Sequence, residues 1–356
     1  IGEDEHGNDI KVRDSEGIQL ANAKIESFPD YDSNQMTMYS SIVTAARQAM
    51  TNHTDLSLLI PSGTAIQNGR TSFLGDAFNR DGYHLEVTYG RYTAACTWFE
   101  MITGQNVVGN PYAPETIDPQ VVKIAQNAAH YAVQKPDEVT DLVDFKQPEI
   151  SDTDLKAPIY IDFGPTSLSA TPWNNITSHQ ESSTTSWIKD VENNYTNIGV
   201  RVLDGFTATH AGVGSEPASP VTVDGVEFPL TAWKDGLLVK GEKNQGDVGP
   251  GRIEISQLDV ARKYNFTILA IRFNGSKDAR ISSYKLVGKT ESAVKEVKTG
   301  IKDAASFAAA NFEEYIAKFE NVEPDSEGKV IVEVKGLDTG SAAEGHINAL
   351  CISLAK

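Results

Sequence analysis

The sequence has only two cysteines among its 356 residues, Cys96 and Cys351. Cys96 lies in an apolar stretch predicted to be helical and Cys351 in an apolar stretch predicted to be a strand, so we expect two buried free thiols. No Cys/His cluster has the spacing of a zinc site. The sequence therefore gives no basis for a disulfide bond or a metal site, and we expect no cofactor.

Long apolar runs are also missing. The sequence contains no stretch of about eighteen consecutive apolar residues, the length that a membrane-spanning helix needs, so we expect no membrane span. It shows no signal peptide either, a segment that a mature chain lacks in any case.

Basic residues are scarce relative to acidic ones. Lys and Arg number 31 against 49 Asp and Glu, which gives a formal net charge of −18. Because phosphate groups are bound by clustered cations, this balance argues against nucleic acid and anionic membranes as partners. It is compatible with a neutral or esterified carbohydrate, although net charge bears more on solubility than on substrate.

The length of the chain predicts two domains, because 356 residues are many for a single hydrophobic core. A polar, acidic stretch marked by prolines predicts a linker at residues 148–158. The N-terminal domain is then residues 1–147 and the C-terminal domain residues 159–356.

The N-terminal domain has a helical pattern after a polar lead. Residues 1–21 show no sustained period and are predicted to be irregular. Three later stretches repeat apolar residues every three or four positions and predict helices over Asn34–Met50, Arg91–Thr103 and Pro119–Gln134. Gly104 is expected to end the second helix, whose predicted core face carries Ala94, Ala95, Trp98, Phe99 and Ile102.

The apolar run Leu56–Ile60 ends at Pro61 and predicts a buried strand of the parallel type. In open α/β sheets, residues just beyond the carboxyl end of a strand face the ligand crevice. Ser62 therefore has the position of a candidate nucleophile, with a loop-capping role as the favoured alternative. Three polar residues that follow it are candidate substrate-binding residues: Gln67, Asn68 and Arg70.

Asp81 and His84 form an Asp-x-x-His motif on a loop that leads into the helix after it. In such an arrangement the carboxylate can fix the tautomer of the imidazole, whose other nitrogen then activates a hydroxyl nucleophile. The motif alone is common. The alternative is an aspartate that caps the next helix and a histidine in solvent nearby.

Three runs around this motif resemble the last part of an SGNH/GDSL-type hydrolase domain: Ile60–Asn68, Asn79–His84 and Gly90–Glu100. The resemblance spans roughly residues 30–140 and is greatest to a bacterial branch often joined to β-sandwich modules. In that superfamily an aspartate and a histidine serve a serine near the start of the domain. The resemblance implies His84 as general base and Asp81 as the residue that orients it, in an α/β three-layer fold.

The other signature blocks of that superfamily are missing here. A Gly-Asp-Ser or Gly-Asn-Ser turn, an oxyanion glycine and a Gly-x-Asn-Asp-like stretch would come earlier in the domain. Residues 1–29 hold no Gly-x-Ser turn after an apolar strand, so the nucleophile is not identifiable. Either the α/β domain lacks its N-terminal part, or it is a degenerate homologue that no longer catalyses.

The second half of the chain has the alternating pattern of β-strands. Glycine- and asparagine-rich turns separate the apolar stretches, which is typical of an antiparallel sandwich. The segment Lys302–Phe319 is ambiguous between helix and strand. The predicted strands are Ile159–Gly164, Gly199–Leu203, Gly236–Lys240, Arg252–Ile255, Tyr264–Phe273, Ser283–Val287, Lys329–Val334 and Ile347–Leu354.

Three runs of this half resemble the galactose-binding-like jelly rolls appended to bacterial carbohydrate-active enzymes: Ile161–Gly164, Thr171–Asn175 and Gly345–Leu350. The resemblance implies an all-β jelly-roll sandwich. A sugar would stack on an aromatic ring and be read by amides and carboxylates, which makes Trp173 and Asn174 candidate ligand residues. Packing is the alternative role for each tryptophan, and Asp162 is of a type that could help to hold calcium.

The two resemblances together imply a secreted, periplasmic or cell-surface bacterial protein of the SGNH type. The predicted activity is hydrolysis of an ester on an acylated carbohydrate, with His84 as base and Asp81 as its partner. The alternative is a non-catalytic glycan-binding or scaffold protein with a degenerate hydrolase domain. In either case we expect a carbohydrate or a small ester as the ligand.

Overall fold

A computed structural model describes residues 2–3, 9–13, 19–22, 34–78, 84–115, 117–150, 155–165, 168–241, 246–273, 280–337 and 343–356. The chain divides into two compact units, Ile1–Glu149 and Ile150–Lys356. This division falls at the predicted linker, and the exact bounds of the two domains stay a prediction. The first unit is mainly helical and the second is β-rich.

The lead of the first unit contains a small antiparallel sheet, so the prediction of an irregular segment was wrong. Its strands follow one another in the order β1-β2-β3 and are β1 (Gly2–Glu3), β2 (Asp9–Arg13) and β3 (Gln19–Asn22). In the sequence, Ile10 and Val12 alternate with charged residues. Such a short period-two pattern carries too few apolar residues to stand out in a search for apolar runs.

The described residues after this sheet include four α-helices: α1 (Gln35–Asn52), α2 (Ser62–Arg70), α3 (Tyr89–Thr103) and α4 (Pro119–Gln134). The three predicted helices are confirmed as α1, α3 and α4. Local hydrogen bonds explain where α1 begins. Asn34 caps the start of this helix, because its Oδ1 accepts from the backbone N–H groups of Met36 and Thr37 at 2.9 and 3.0 Å. Gly104 ends α3 with a φ of 70°, a left-handed conformation that glycine adopts without strain.

The strand predicted at Leu56–Ile60 is absent, and this prediction was wrong. The segment is irregular, and the side chains of Leu56 and Leu58 are 47% and 50% exposed. A buried parallel strand needs neighbouring strands on its edges, but among the described residues of this unit the only strands are β1–β3. The described part of the unit is therefore mainly helical, and an α/β three-layer fold stays a prediction.

Helix α3 buries the face opposite to the predicted one. Trp98 and Ile102 are 54% and 63% exposed, whereas Thr93 and Thr97 are fully buried. Each threonine hydroxyl donates to the backbone carbonyl four residues earlier, at 2.8 and 2.9 Å. Because the helix itself satisfies these hydroxyls, a face that is polar in the sequence can pack as a core face.

The second unit contains eighteen strands in its described residues. They are β4 (Ile159–Phe163), β5 (Trp173–Ile176), β6 (Thr184–Thr185), β7 (Gly199–Asp204), β8 (Ala208–His210), β9 (Val221–Val223), β10 (Val226–Phe228), β11 (Gly236–Lys240), β12 (Val248–Ser256), β13 (Tyr264–Leu269), β14 (Arg272–Phe273), β15 (Ile281–Val287), β16 (Lys295–Lys298), β17 (Gly300–Ile301), β18 (Ile316–Val322), β19 (Val330–Gly336), β20 (Glu344–Ile347) and β21 (Ala349–Leu354). The ambiguous segment 302–319 contains both a short helix, Ala304–Ala308, and the start of β18. A second short helix is Leu230–Trp233.

Two large sheets form the body of this unit. One has six strands in the order β16-β15-β19-β12-β7-β6, and the other has five in the order β18-β13-β21-β4-β5. Pairing in both sheets is antiparallel except between β4 and β5. Buried side chains of both sheets, such as Ile161 and Ile253, belong to one hydrophobic core. This arrangement is consistent with a β-sandwich.

Smaller sheets flank the sandwich. The three-stranded sheet β20-β11-β8 is antiparallel, and its residues Leu237, Val239 and Ile347 belong to the main core. Because side chains alternate along a strand, the residues between them point to the opposite face of this sheet.

Candidate functional site

The predicted base, His84, is exposed and lies just before α3. The chain that follows it is held firmly, because Glu86 donates its backbone N–H to the Phe78 carbonyl at 2.8 Å. The Glu86 carboxylate also accepts from the backbone N–H of Thr88 at 2.8 Å. Asp81 lies outside the described residues, so the pairing of Asp81 with His84 stays a prediction.

The three candidate residues on α2 lie close together, and two of them have structural partners. Asn68 is fully buried, donates to the Ala128 carbonyl at 3.1 Å and accepts from the Thr140 N–H at 2.6 Å. Arg70 forms an ion pair with Asp76 at 2.8 Å, with both side chains about 95% buried. Gln67 is half-buried and accepts from Arg70 Nη1 at 3.3 Å. These contacts hold the unit together, and substrate binding by the three residues stays a prediction.

Ser62 is the first residue of α2. Its Oγ is buried and has no hydrogen-bond partner among the residues that the structure describes. A hydroxyl without a neighbouring base is a weak nucleophile. Within the described ranges the Ser62 hydroxyl makes no hydrogen bond to a base, and the role of this serine as nucleophile stays a prediction.

Trp173 and Asn174 lie on β5, the edge strand of the five-stranded sheet. The Trp173 ring is half-buried and packs on Tyr160 and Phe228, with ring centroids 5.1 and 5.7 Å away. Asn174 Nδ2 donates to the carbonyls of Tyr160 and Lys189 at 2.9 and 2.8 Å, and its Oδ1 accepts from the Lys189 N–H at 2.8 Å. Asn174 thus fixes the edge of the sheet, and ligand binding by this pair stays a prediction.

A pair of buried carboxyl groups lies near the end of β4. Burial, together with the smaller effect of the charge of Asp235, raises the pKa of Asp162 to about 7. Gly164 makes room for the pair, since a Cβ at that position would lie 2.4 Å from Asp235 Cγ. Within the described ranges no group of three or more His, Cys, Asp or Glu side chains could hold a metal ion.

A polar groove of about 340 Å³ opens where β7, β11 and β12 come together. Thr207, Lys240 and Asp247 contribute side chains to it, and Gly205, Gly241 and Gly249 contribute backbone. The Thr207 hydroxyl accepts from the Lys240 N–H at 3.0 Å and so fixes the start of the Lys240 side chain.

Sequence analysis missed this groove. The signal was the frequency of glycine around β11 and β12, since Gly241, Gly246, Gly249 and Gly251 lie within eleven residues. Glycine permits close approach of a backbone to a ligand. The pattern predicts turns equally well, however, so it could not identify a site without the fold.

Most of the helical unit matches a known family profile. Residues 16–132 match the profile of DUF4886, a domain of unknown function. A DUF4886 family protein from Bacteroides uniformis is 58% identical over 35% of this chain, with a TM-score of 0.34, and the chain spans 48% of the length of that protein. No curated protein matches the chain.

Two further solved structures are similar to this chain at low identity. TmCBM61, solved in complex with β-1,4-galactotriose, is 13% identical over 34% of this chain and 71% of its own length, with a TM-score of 0.22. The ANX2 ectodomain from Arabidopsis thaliana is 6% identical over 56% of this chain and 49% of its own, with a TM-score of 0.33. The described helices include none that is long and apolar enough to cross a membrane.

Proposed function

We propose that this protein is a non-catalytic carbohydrate-binding protein and that its β-rich unit holds the sugar in the groove between β7, β11 and β12. The observation that carries the proposal is the groove itself. Its volume of about 340 Å³ lies within the range of about 300–1,000 Å³ that is usual for small-molecule sites.

The groove offers the groups that sugar hydroxyls need. The Lys240 ammonium donates hydrogen bonds, and the Asp247 carboxylate accepts them. A hydroxyl both donates and accepts, so a single sugar can contact both side chains in one binding mode. Glycine backbone on the walls lets a flat ring approach closely, because no Cβ atoms stand in its way.

The test is a titration of the whole chain by isothermal calorimetry with neutral oligosaccharides. β-1,4-galactotriose is the first probe, because it is the ligand in the TmCBM61 structure. We expect Lys240→Gln to weaken binding by about tenfold, the loss of one charge-assisted hydrogen bond. Lys335→Gln, which removes an exposed lysine from β19, should bind like the wild type.

The proposal would fail if a panel of neutral saccharides gave no heat with the wild type. It would also fail if a saccharide bound Lys240→Gln as tightly as it bound the wild type. Equal melting temperatures of both variants would show that each has kept its fold.

Ester hydrolysis is the second candidate function, and one observation favours it. His84 is exposed, and a general base must be reachable by the substrate or by water. In this proposal His84 accepts the proton of a nucleophile, Asp81 orients its ring, and an acetylated carbohydrate is the substrate.

Release of a chromogenic acetyl ester tests this second candidate. We expect His84→Ala to abolish turnover and to leave the melting temperature nearly unchanged, because exposed side chains contribute little to stability. Turnover that persists in His84→Ala would exclude His84 as the base.

A further inference from the structure

The sheet β20-β11-β8 carries two buried histidines on one face. In the ladder, His210 of β8 lies opposite Gly236 and His346 of β20 lies opposite Leu238. Because side chains alternate along a strand, both rings lie on the face turned away from the main core. They are 5% and 0% exposed and meet edge to face, with ring centroids 5.1 Å apart. From β15, the neutral hydroxyl of Tyr284 donates to the backbone carbonyl of His346.

An arginine selects the neutral form of His210. Arg272 of β14 places its Nη1 3.2 Å from His210 Nδ1. A guanidinium group can only donate hydrogen bonds, so Nδ1 accepts in this contact and the neutral ring carries its proton on Nε2. A proton added to Nδ1 would set two N–H donors against each other. The contact between Arg272 and His210 therefore exists only while the ring is neutral.

The other cations around His210 act in the same direction. Burial lowers the pKa of His210 well below its usual value, and the charges of His346, Arg272 and Arg280 contribute to the lowering. Lys240, at the end of β11, is exposed on the same face of the sheet as the two histidines. A positive charge on His210 would thus be added to a region that already holds several cations.

The carboxylates of this region have other partners. Glu344 of β20 lies 2.7 Å from Arg280 Nε and 3.5 Å from His346 Nε2. Glu216, which follows β8, acts together with Glu344 on the arginine of β14. Within the described part of the chain, neither ring nitrogen of His210 is bonded to a carboxylate. The closed sheet therefore offers a protonated His210 no countercharge in contact.

Strand β8 is both weakly held and connected to the proposed sugar groove. It is the edge strand of its sheet and pairs with β11 through three residue pairs. Gly205 and Thr207, which immediately precede β8, line the groove. The Thr207 hydroxyl also accepts from the Lys240 N–H at 3.0 Å. A displacement of β8 would therefore move one wall of the groove.

We propose that His210 is an acid-sensitive switch: its neutral ring holds β8 against β11 and β14, and uptake of a proton releases the strand. The ordinary pKa of histidine is about 6.5, so below this pH the released strand binds a proton that the closed sheet does not. The closed sheet is therefore fully favoured above this pH and loses stability as the pH falls below it. Loss of sugar from the groove in acid is a consequence that rests on the proposed function.

Backbone hydrogen exchange of the full chain without sugar, followed by NMR, tests the switch. The two conditions are pH 7.5 and pH 5.5, one unit above and one unit below the ordinary histidine pKa of about 6.5. We expect the protection factors of the β8 and β11 amides, corrected for the intrinsic exchange rate, to fall by about tenfold at the lower pH, the ratio that one histidine gives. The amides of β13 and β18, in the five-stranded sheet, should not follow this fall.

Two variants identify the histidine responsible. His210→Gln keeps an amide oxygen that can accept from Arg272 but cannot take up a proton, so the fall in protection should disappear. His179→Gln is the matched control, because His179 is a partly buried histidine of the same unit outside this sheet, and the fall should persist. If His210→Gln does not fold, the ring nitrogen shifts of wild-type His210 replace it. They should show the neutral Nε2–H form as long as the β11 amides are protected.

The outcomes separate the switch from the proposed function. Protection that is equal at both pH values, a fall that persists in His210→Gln, or a protonated His210 in a protected sheet would each overturn the switch, even if sugar binds. Protection that falls as expected supports the switch, even if β-1,4-galactotriose gives no heat and the proposed function fails. Weaker binding of this sugar at pH 5.5 in the wild type but not in His210→Gln would support the connection to the groove.

Discussion

Each of the two units buries an ion pair between an arginine and a carboxylate, but the surroundings of the two pairs differ. In the helical unit, Arg70 lies 2.8 Å from Asp76, with both side chains about 95% buried. In the β-rich unit, Arg280 lies 2.7 Å from Glu344, and the charge of Glu344 also acts on Arg272. A buried carboxylate that acts on two arginines keeps a countercharge when one of them is removed. The comparison therefore predicts a larger loss of stability when the pair of the helical unit is broken.

Breaking the buried ion pair between Arg70 and Asp76 should cause the largest loss in the free energy of unfolding. Arg70→Met removes the guanidinium group that pairs with the buried Asp76 carboxylate, and the loss of one partner of a buried ion pair costs about 3–5 kcal/mol. Urea unfolding followed by circular dichroism of the helices measures it, because α1–α4 lie in this unit. Arg47→Met is the control, since its pair with Asp137 is more than 40% exposed and should be worth about 0–1 kcal/mol. Similar losses in the two variants would contradict the comparison.

The buried carboxyl pair predicts a pH dependence. The folded pKa of Asp162 is raised to about 7, so between about pH 4 and pH 7 the folded chain holds a proton that the unfolded chain releases. This contribution to the free energy of unfolding is favourable below that window and is lost as the pH rises through it. Asp162→Asn removes the charge, so its stability relative to wild type should rise from pH 4 to pH 8 by at most about 4 kcal/mol.

Urea unfolding of both proteins across this window measures the difference. The buried histidines titrate in the opposite sense, but they are common to both proteins and cancel in the comparison. Glu320→Gln, which removes an exposed carboxylate, should run parallel to the wild type. A difference between Asp162→Asn and wild type that stays flat with pH would exclude a raised pKa.

Breaking the buried ion pair between Arg280 and Glu344 should cause the smallest change in the free energy of unfolding among the three substitutions. Arg280→Met removes the ion pair with Glu344, but the charge of Glu344 also acts on Arg272. Burial lowers the pKa of Arg280, and the charge of Arg272 contributes to the lowering, so the substitution also removes a buried charge and its repulsion with Arg272. We expect a loss of about 1–2 kcal/mol in the free energy of unfolding, measured by near-ultraviolet circular dichroism. A loss as large as that of Arg70→Met would place Arg280 among the residues that hold the fold.

Local patterns were enough to predict helices α1, α3 and α4 and the central strands of the two large sheets. The period of the apolar residues predicted α3 and α4, Gly104 predicted the end of α3, and the strand predicted at Gly236–Lys240 has the observed bounds of β11. The prediction of a strand at Leu56–Ile60 was wrong because a strand depends on neighbouring strands, which a local pattern does not contain. The prediction of the buried face of α3 was wrong because the hydroxyls of Thr93 and Thr97 donate to carbonyls of the helix itself, which allows both side chains to be buried.

The candidate sites were harder to predict for the same reason. His210, Arg272 and His346 are separated by 62 and 74 residues in the sequence, and only the pairing of β8, β11 and β20 brings the two histidines to one face. Trp173 and Asn174 were chosen for residue type, and the structure shows that their contacts are with Tyr160, Phe228 and Lys189. Residue type suggests which chemistry is possible, but register decides which groups meet.

The exposed position of Trp98 has a practical consequence for spectroscopy. Of the four tryptophans, Trp98 alone belongs to the helical unit, and it is already 54% exposed in the folded state. Its indole emission should therefore change little when the helices unfold. The other three include Trp233, which is fully buried and stacked on Phe307. A red shift in intrinsic fluorescence will thus report on the β-rich unit, so fluorescence and helical dichroism together follow each half of the molecule in one sample.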